Sequence, residues 1–183
     1  MSAVLSPSFA SLTIPPERLT DPRLRVLRTP VYVHPGQVYV STEAGECATI
    51  LGSCVAVCLH DPVTRVGGLN HYLLPFPGED AEPSPRYATT AIDALLHRMM
   101  LDGARPHRLV AHVVGGAAVL AAFGADENHL GKRNVQAAYD LLQERAIHVT
   151  SSDVGGTRGR KVLFEPRTGR LTVTPIGVRT VAP

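Results

Sequence analysis

Aromatic side chains are scarce in this chain of 183 residues, which contains no tryptophan, five tyrosines and four phenylalanines. This scarcity disfavours an aromatic platform on which single-stranded nucleic acid would stack. The formal net charge is only +2 and the basic residues form no run, so nothing indicates nucleic acid or an anionic membrane surface as a partner. No stretch approaches the roughly 18 apolar residues of a transmembrane helix. We therefore expect no membrane insertion.

Cysteine is also rare, with three residues in the whole chain. An odd and small number of cysteines fits a reducing compartment better than a secreted disulfide framework. The segment 1–19 lacks both the basic leader and the continuous apolar block of a signal peptide. Together these features predict a cytoplasmic location.

The length fits one domain, which is large enough to bury a core without disulfides or a structural metal. Residues 1–30 carry five prolines and show no sustained periodicity, which predicts a loosely ordered N-terminal extension. The compact domain is expected to span residues 31–183.

Short strands dominate the predicted secondary structure, and helices interrupt them. Ile92, Leu95, Leu96 and Met99 have the spacing of one buried helix face, and Gly103 ends that helix. Alternation and β-branched residues predict strands over 31–34, 37–41, 53–59, 67–74, 109–114, 147–151, 162–164 and 171–173. Further helices are predicted over 117–123 and 132–145, and a proline-rich loop over 75–85. This order indicates an α+β fold, a mixed α/β sandwich of short strands with flanking helices, and the missing glycine fingerprint argues against a Rossmann domain.

The three thiols, Cys47, Cys54 and Cys58, do not have the spacing of a zinc site, and we expect no metal. In a strand over 53–59, Cys54 and Cys58 would lie on one face about 13 Å apart. A disulfide needs Cα atoms within about 7 Å, so these two cannot bridge there. We interpret Cys47 and Cys58 as packing residues, because buried cysteine behaves as a small hydrophobic side chain.

Cys54 differs because it follows Leu51-Gly52-Ser53, where a glycine-containing loop enters a strand. Glycine lets a substrate approach the backbone closely. The backbone N–H groups of Ser53 and Cys54 would then be available to stabilise an oxyanion. Cys54 is thus the candidate nucleophile.

His71 is the candidate partner of Cys54. The turn between the two strands centres on about Val63, so the residue opposite Cys54 falls within 71–75. One register in this window places His71 directly opposite, and a shift by one residue places it on the other face. An imidazole beside a thiol can stabilise the thiolate and later protonate a leaving amine. The alternative is a hydrogen-bonded or surface histidine, since the chain has eight.

Other motifs favour structural interpretations. The glycine-rich segment 155–161 lacks the P-loop spacing and predicts a hairpin turn. Arg133 and Asn134 are interpreted as helix-capping and surface residues. Phe123 and Tyr139 are expected in the core.

Several ordered motifs together resemble the chemoreceptor glutamine deamidase family CheD, over about Val31 to Ile176. They are Leu51-Gly52-Ser53-Cys54-Val55-Ala56-Val57-Cys58, Asp61-Pro62, Gly67-Gly68-Leu69-Asn70-His71, Leu74-Pro75, Gly115-Gly116-Ala117, Gly131-Lys132-Arg133-Asn134, Asp153-Val154-Gly155-Gly156 and Gly159-Arg160-Lys161-Val162.

The resemblance implies a cysteine-dependent enzyme that converts receptor glutamine side chains to glutamate, with a fold related to bacterial toxin deamidases. Its catalytic cysteine and histidine fall on Cys54 and His71, and a threonine that orients the histidine falls on Thr49. Gly52, Ser53 and Asn70 are expected to support the substrate and the oxyanion. No cofactor is implied.

The implied partners are methyl-accepting chemotaxis receptors and a CheC-type phosphatase. Methyl-ester hydrolysis at the same site would use the same chemistry. Two other readings stay open: a non-catalytic adaptor that binds receptors and the phosphatase, and a cysteine protease. The protease is disfavoured because nothing in the sequence suggests an extended peptide cleft.

Overall fold

The computed structural model describes residues 29–118 and 129–176, and within them the chain forms nine strands and two α-helices. In chain order they are β1 (Val31–Tyr32), β2 (Gln37–Ser41), β3 (Cys47–Leu51), β4 (Val55–Asp61), β5 (Val66–His71), α1 (Ala88–Leu101), β6 (Val110–Gly115), α2 (Leu130–Glu144), β7 (Val149–Val154), β8 (Gly159–Glu165) and β9 (Arg170–Ile176), with a short 3-10 helix at Pro106–Arg108.

The strands form two sheets. One has the order β1-β3-β8-β9 and the other β2-β5-β4-β6-β7. The pairs β1–β3 and β6–β7 are parallel, and the other pairs are antiparallel. Both helices pack on the five-stranded sheet. The α+β sandwich predicted from the sequence is therefore confirmed, as three layers: four strands, five strands and the helices.

Strand β4 lies in the middle of these layers, and all seven of its residues are buried. Successive side chains of a strand point to opposite faces. Val55, Val57 and Leu59 pack with the helices, whereas Ala56 and Cys58 pack between the two sheets. This double burial explains why the segment is almost uniformly apolar.

The predicted buried face of helix α1 is confirmed, because all four of its residues are buried: Ile92, Leu95, Leu96 and Met99. The chain leaves the helix through Gly103, whose φ of 87° is readily adopted only by glycine. Helix α2 likewise buries Val135, Ala138 and Leu142, while Tyr139 packs at the edge of the core. Within the described residues no helix is long and apolar enough to cross a membrane.

The predicted strand over 53–59 was wrong at its start. The apolar run from Thr49 onward is two strands in different sheets, β3 and β4, and the chain turns between them at Gly52-Ser53. Cys54 lies directly before β4, and its carbonyl oxygen accepts a hydrogen bond from the N–H of Gly116. The predicted helix over 117–123, Phe123 and nearly all of the N-terminal extension lie outside the described residues.

Candidate active site

Cys54 is the partly exposed member of the three thiols. Its side chain is half-buried at the start of β4, whereas Cys47 and Cys58 are fully buried between the sheets. All three are free cysteines. The burial of Cys47 and Cys58 agrees with the packing predicted for them, and leaves Cys54 as the thiol at a surface.

The register of β4 and β5 places His71 on the same face as Cys54. Cys58 pairs with Leu69 and Val55 with Tyr72, so Leu73 is the residue opposite Cys54. His71 is two positions from Leu73, and such diagonal neighbours have Cα atoms about 7–8 Å apart. His71 is therefore neither directly opposite Cys54 nor shifted by one residue to the other face, the two registers that the sequence analysis considered. The positions of Cys54 and His71 are diagonal, and both side chains pack toward the space between the sheets.

Thr49 from β3 holds the His71 ring from the other sheet. The Thr49 hydroxyl donates to the carbonyl oxygen of Val33 at 2.8 Å, and Thr49 Oγ1 lies 2.8 Å from His71 Nδ1. Since the hydroxyl proton is already used, Oγ1 accepts from Nδ1–H. The proton therefore sits on Nδ1. His71 Nε2 carries a lone pair and, within the described residues, has no hydrogen-bond partner although it is buried.

The surroundings keep both groups neutral. Burial lowers the pKa of His71 from 6.5; the hydrogen bond to the carbonyl of Val33 partly opposes this, and the nearby His34 adds a smaller lowering effect. Burial raises the pKa of Cys54 from 9.0, which its own backbone N–H partly offsets. These directions favour a thiol and a neutral imidazole at neutral pH. His71 is suited to act as a general base toward the Cys54 thiol.

Three donors fix the carbonyl groups of the loop before β4. The oxygen of Gly52 accepts from Ala117 N–H at 2.8 Å, that of Ser53 from Asn134 Nδ2 at 2.9 Å, and that of Cys54 from Gly116 N–H at 2.8 Å. Gly115 allows this approach, since a Cβ there would lie 2.2 Å from the oxygen of Cys54.

The fixed carbonyls determine where the neighbouring N–H groups point. No peptide bond in the described residues is cis, and in a trans peptide the C=O and N–H bonds point in opposite directions. The N–H groups of Ser53 and Cys54 therefore point away from Ala117 and from Asn134. We find no acceptor for either of them among the described residues. Their role as donors to an oxyanion stays a prediction.

Asn70 does not join the group around Cys54. Strand alternation places it on the opposite face of β5 from His71, and its Oδ1 accepts from the N–H of Val57 at 2.8 Å. The fully buried side chain thus replaces a main-chain partner in the β4–β5 ladder. Its contacts serve the sheet, and its predicted support of the substrate stays a prediction.

Two interpretations of other motifs were wrong in part. Asn134 is fully buried and is not a surface or capping residue; His129 caps α2 by accepting from the N–H of Lys132. The glycine-rich segment forms a turn but no hairpin, because β7 and β8 belong to different sheets. Arg160 braces this turn through Asp153 and the carbonyl of Gly155. No cluster of three metal-binding side chains occurs in residues 29–118 and 129–176.

A family model described as CheD chemotactic sensory transduction matches residues 73–175, more than half of the chain. The chain belongs to the CheD family. The match begins after Cys54 and His71, so the case for this pair rests on the geometry above and on the motif resemblance.

CheD relatives of known name resemble the chain over most of its length. It is 51% identical over 146 residues to a probable chemoreceptor glutamine deamidase CheD 1 of Anaeromyxobacter dehalogenans, covering 80% of this chain and 84% of the relative. It is 41% identical over 141 residues to a probable chemoreceptor glutamine deamidase CheD of Sulfurimonas denitrificans, covering 76% and 90%. Among solved structures, the hypothetical protein YfiH of Bacillus licheniformis is similar with a TM-score of 0.41 and 13% identity, over 66% of this chain and 49% of that one.

Proposed function

We propose that this chain is an amidohydrolase that converts glutamine side chains of chemoreceptors to glutamate, with Cys54 as nucleophile and His71 as general base. The observation that carries the proposal is the short contact between Thr49 Oγ1 and His71 Nδ1, from which we infer the tautomer. Thr49 occupies Nδ1–H at 2.8 Å, which leaves the lone pair of Nε2 free on the strand face that Cys54 shares. The names of the CheD relatives supply the substrate.

The reaction follows from these positions. His71 Nε2 takes the proton of the Cys54 thiol as sulfur attacks the carbonyl carbon of the glutamine side chain. The N–H groups of Ser53 and Cys54 bind the oxygen that becomes negative. As the tetrahedral adduct collapses, the imidazolium protonates the departing ammonia and a thioester remains. His71 then takes a proton from water, which hydrolyses the thioester to glutamate and restores the thiol.

Thr49 is a positioning residue in this scheme, since it contacts His71 and not the reacting atoms. Its two hydrogen bonds, to Val33 and to His71, hold one tautomer and one ring orientation. An orienting partner of a catalytic histidine acts in the same way in hydrolases with a three-residue site.

The product changes the charge of the receptor. Each turnover replaces a neutral amide by a carboxylate, and neighbouring like charges on a helical bundle shift its packing equilibrium. The chain would work in the cytoplasm without entering the membrane, through a deamidase domain of residues 31–183 behind an extension of residues 1–30. The resemblance to CheD also supports a CheC-type phosphatase as its regulator.

The first test compares wild-type protein with Cys54→Ala on receptor fragments. We expect the wild type to release ammonia and convert glutamine to glutamate, measured by mass spectrometry, and the variant to be inactive. Cys58→Ala removes a fully buried thiol and should keep its activity if it folds. Equal activity of Cys54→Ala and wild type would refute the nucleophile. Receptor binding without ammonia release by the wild type would instead support an adaptor.

A further inference from the structure

Asn134 of α2 bridges the two chain segments that carry the candidate catalytic pair. Its Nδ2 lies 2.9 Å from the oxygen of Ser53 and 2.8 Å from that of Leu73. Ser53 directly precedes Cys54, and Leu73 is two residues after His71. At this point β4 and β5 separate, because their pairing ends in the isolated bridge between Val55 and Tyr72. The Asn134 amide thus holds the two segments together beyond the end of the ladder.

Only a short side chain with two donors on one atom fits this place. Both acceptors are carbonyl oxygens, so the atom between them must be the NH2 group. Asn134 is 0% exposed. An aspartate would turn an oxygen toward two oxygens, and an alanine would leave both part-buried carbonyls without this donor.

Two glycines bring α2 close enough for this short side chain to reach. A Cβ at Gly131 would lie 2.3 Å from the oxygen of Gly116, and a Cβ at Gly116 would lie 2.7 Å from the oxygen of Gly131. Gly131 and Asn134 are three residues apart and share the helix face toward the sheet. Tyr72 fixes the same helical turn by donating its hydroxyl to the main-chain oxygen of Asn134 at 2.7 Å. The family motifs at 115–117 and 131–134 therefore meet in one contact.

We propose that Asn134 is a positioning residue for the proposed deamidation, on which this inference rests. By holding the Ser53 carbonyl, it fixes the peptide whose other end is the Cys54 N–H, and so aims that N–H at the oxyanion. By holding the Leu73 carbonyl as well, the same amide is fixed at two points and cannot rotate away from Ser53. Asn134 touches neither substrate nor thiol. It acts on the transition state through the backbone.

This role predicts a specific kinetic pattern. An oxyanion donor acts when the carbonyl oxygen becomes negative, so its loss lowers kcat and leaves KM nearly unchanged. The reactivity of the Cys54 thiol toward iodoacetamide forms no oxyanion, and should not depend on Asn134. Cys47 and Cys58 are fully buried, so alkylation of the folded protein reports on Cys54.

The experiment compares Asn134→Ala and Asn134→Ser with Tyr72→Phe in the full chain. Tyr72→Phe removes the hydroxyl that binds Asn134 but leaves both carbonyls held, which makes it a matched control for the docking of α2. For each protein kcat, KM, Tm and the iodoacetamide rate are measured, at a temperature where all are folded. The serine variant, whose hydroxyl cannot span both carbonyls, serves if the alanine variant does not fold.

We expect the Asn134 variants to lose about 10- to 100-fold in kcat, less than removal of a donor itself, while KM and alkylation stay close to wild type. Tyr72→Phe should lower Tm and keep kcat. A kcat unchanged in the Asn134 variants would overturn the proposal. So would a kcat lowered equally in Tyr72→Phe, because that result would assign the effect to helix docking. A wild type that releases no ammonia would overturn both this inference and the proposed function.

Discussion

The β4–β5 hairpin carries two buried titratable side chains, Asp61 near its turn and His71 near its open end, and their hydrogen bonding differs. At the turn end, the buried carboxylate of Asp61 accepts from Arg108 at 2.6 Å and from the N–H groups of Val63 and Arg105 at 2.9 and 3.1 Å. At the open end, His71 Nε2 and Asn134 Oδ1 have no hydrogen-bond partner among the described residues.

The pKa values follow this difference. Burial alone would raise the pKa of Asp61, but the guanidinium of Arg108 and three backbone N–H groups lower it to about 2. Burial lowers the pKa of His71, and no carboxylate opposes that effect. The hydrogen bonds around Asp61 stabilise its charged form. His71, which lacks a partner at Nε2, stays a neutral base with a free lone pair. Within this hairpin the Asp61 carboxylate is fully paired, whereas one nitrogen of His71 is not.

Removing the base should have the largest effect. We expect His71→Ala to lower kcat for ammonia release by about 10²- to 10⁴-fold, the usual contribution of a general base. The free energy of unfolding, measured in urea, should change by less than the activation free energy that corresponds to the loss in kcat. His97→Ala, on α1, is the matched control and should keep its activity. A variant at His71 that retains more than a tenth of wild-type kcat would contradict the role of the base.

Removing the Asp61 carboxylate should have the opposite pattern, a loss of stability without a loss of activity. We expect Asp61→Ala to cost about 3 kcal/mol in the free energy of unfolding, at the lower end for a broken buried ion pair because Arg108 is 27% exposed. The kcat of the folded fraction should stay unchanged. Asp93→Ala breaks the more exposed pair with Arg145 and should cost less than about 1 kcal/mol. Equal losses at both sites would remove the distinction.

Lowering the pH should reduce the free energy of unfolding in two separate ranges, one for His71 and one for Asp61. These changes are expected to be the smallest of the three predicted effects. Both groups have a folded pKa below the unfolded value, so both contributions are complete at high pH and are lost as pH falls. For His71 the loss begins below pH 6.5, and for Asp61 it runs from pH 3.8 to about 2. Unfolding in urea at a series of pH values measures both, and His71→Ala should abolish only the upper decline. A single decline in that variant and in wild type alike would contradict the assignment.

Sequence reasoning succeeded where the relevant distances along the chain are short. Strand alternation and the turn near Val63 limited the residue opposite Cys54 to a narrow window, 71–75, but left open on which face His71 lies. The exact register did not, because a slip of one residue needs the opposing sheet to decide it. Thr49 came from family resemblance, since its contact with His71 joins two sheets.

The break between β3 and β4 and the burial of Asn134 escaped sequence reasoning for physical reasons. An apolar run such as that from Thr49 onward looks continuous when both of its strands are buried. A polar residue in a helix is normally exposed, and only the docking of α2 on Gly116 makes Asn134 internal. Gly131, three residues earlier, is the feature of the sequence that could have indicated this docking, because a glycine inside a helix often marks a close packing contact.

The contacts that build the site join residues at very different separations along the chain. Thr49 and His71 are 22 residues apart, whereas Ser53 and Asn134 are 81 residues apart. Closing the longer loop costs about 1 kcal/mol more in chain entropy, by the logarithmic dependence on length, and it must wait until α2 has been synthesised. The contact between Ser53 and Asn134 therefore needs the chain to be synthesised through α2, whereas Thr49 and His71 are both present much earlier in synthesis.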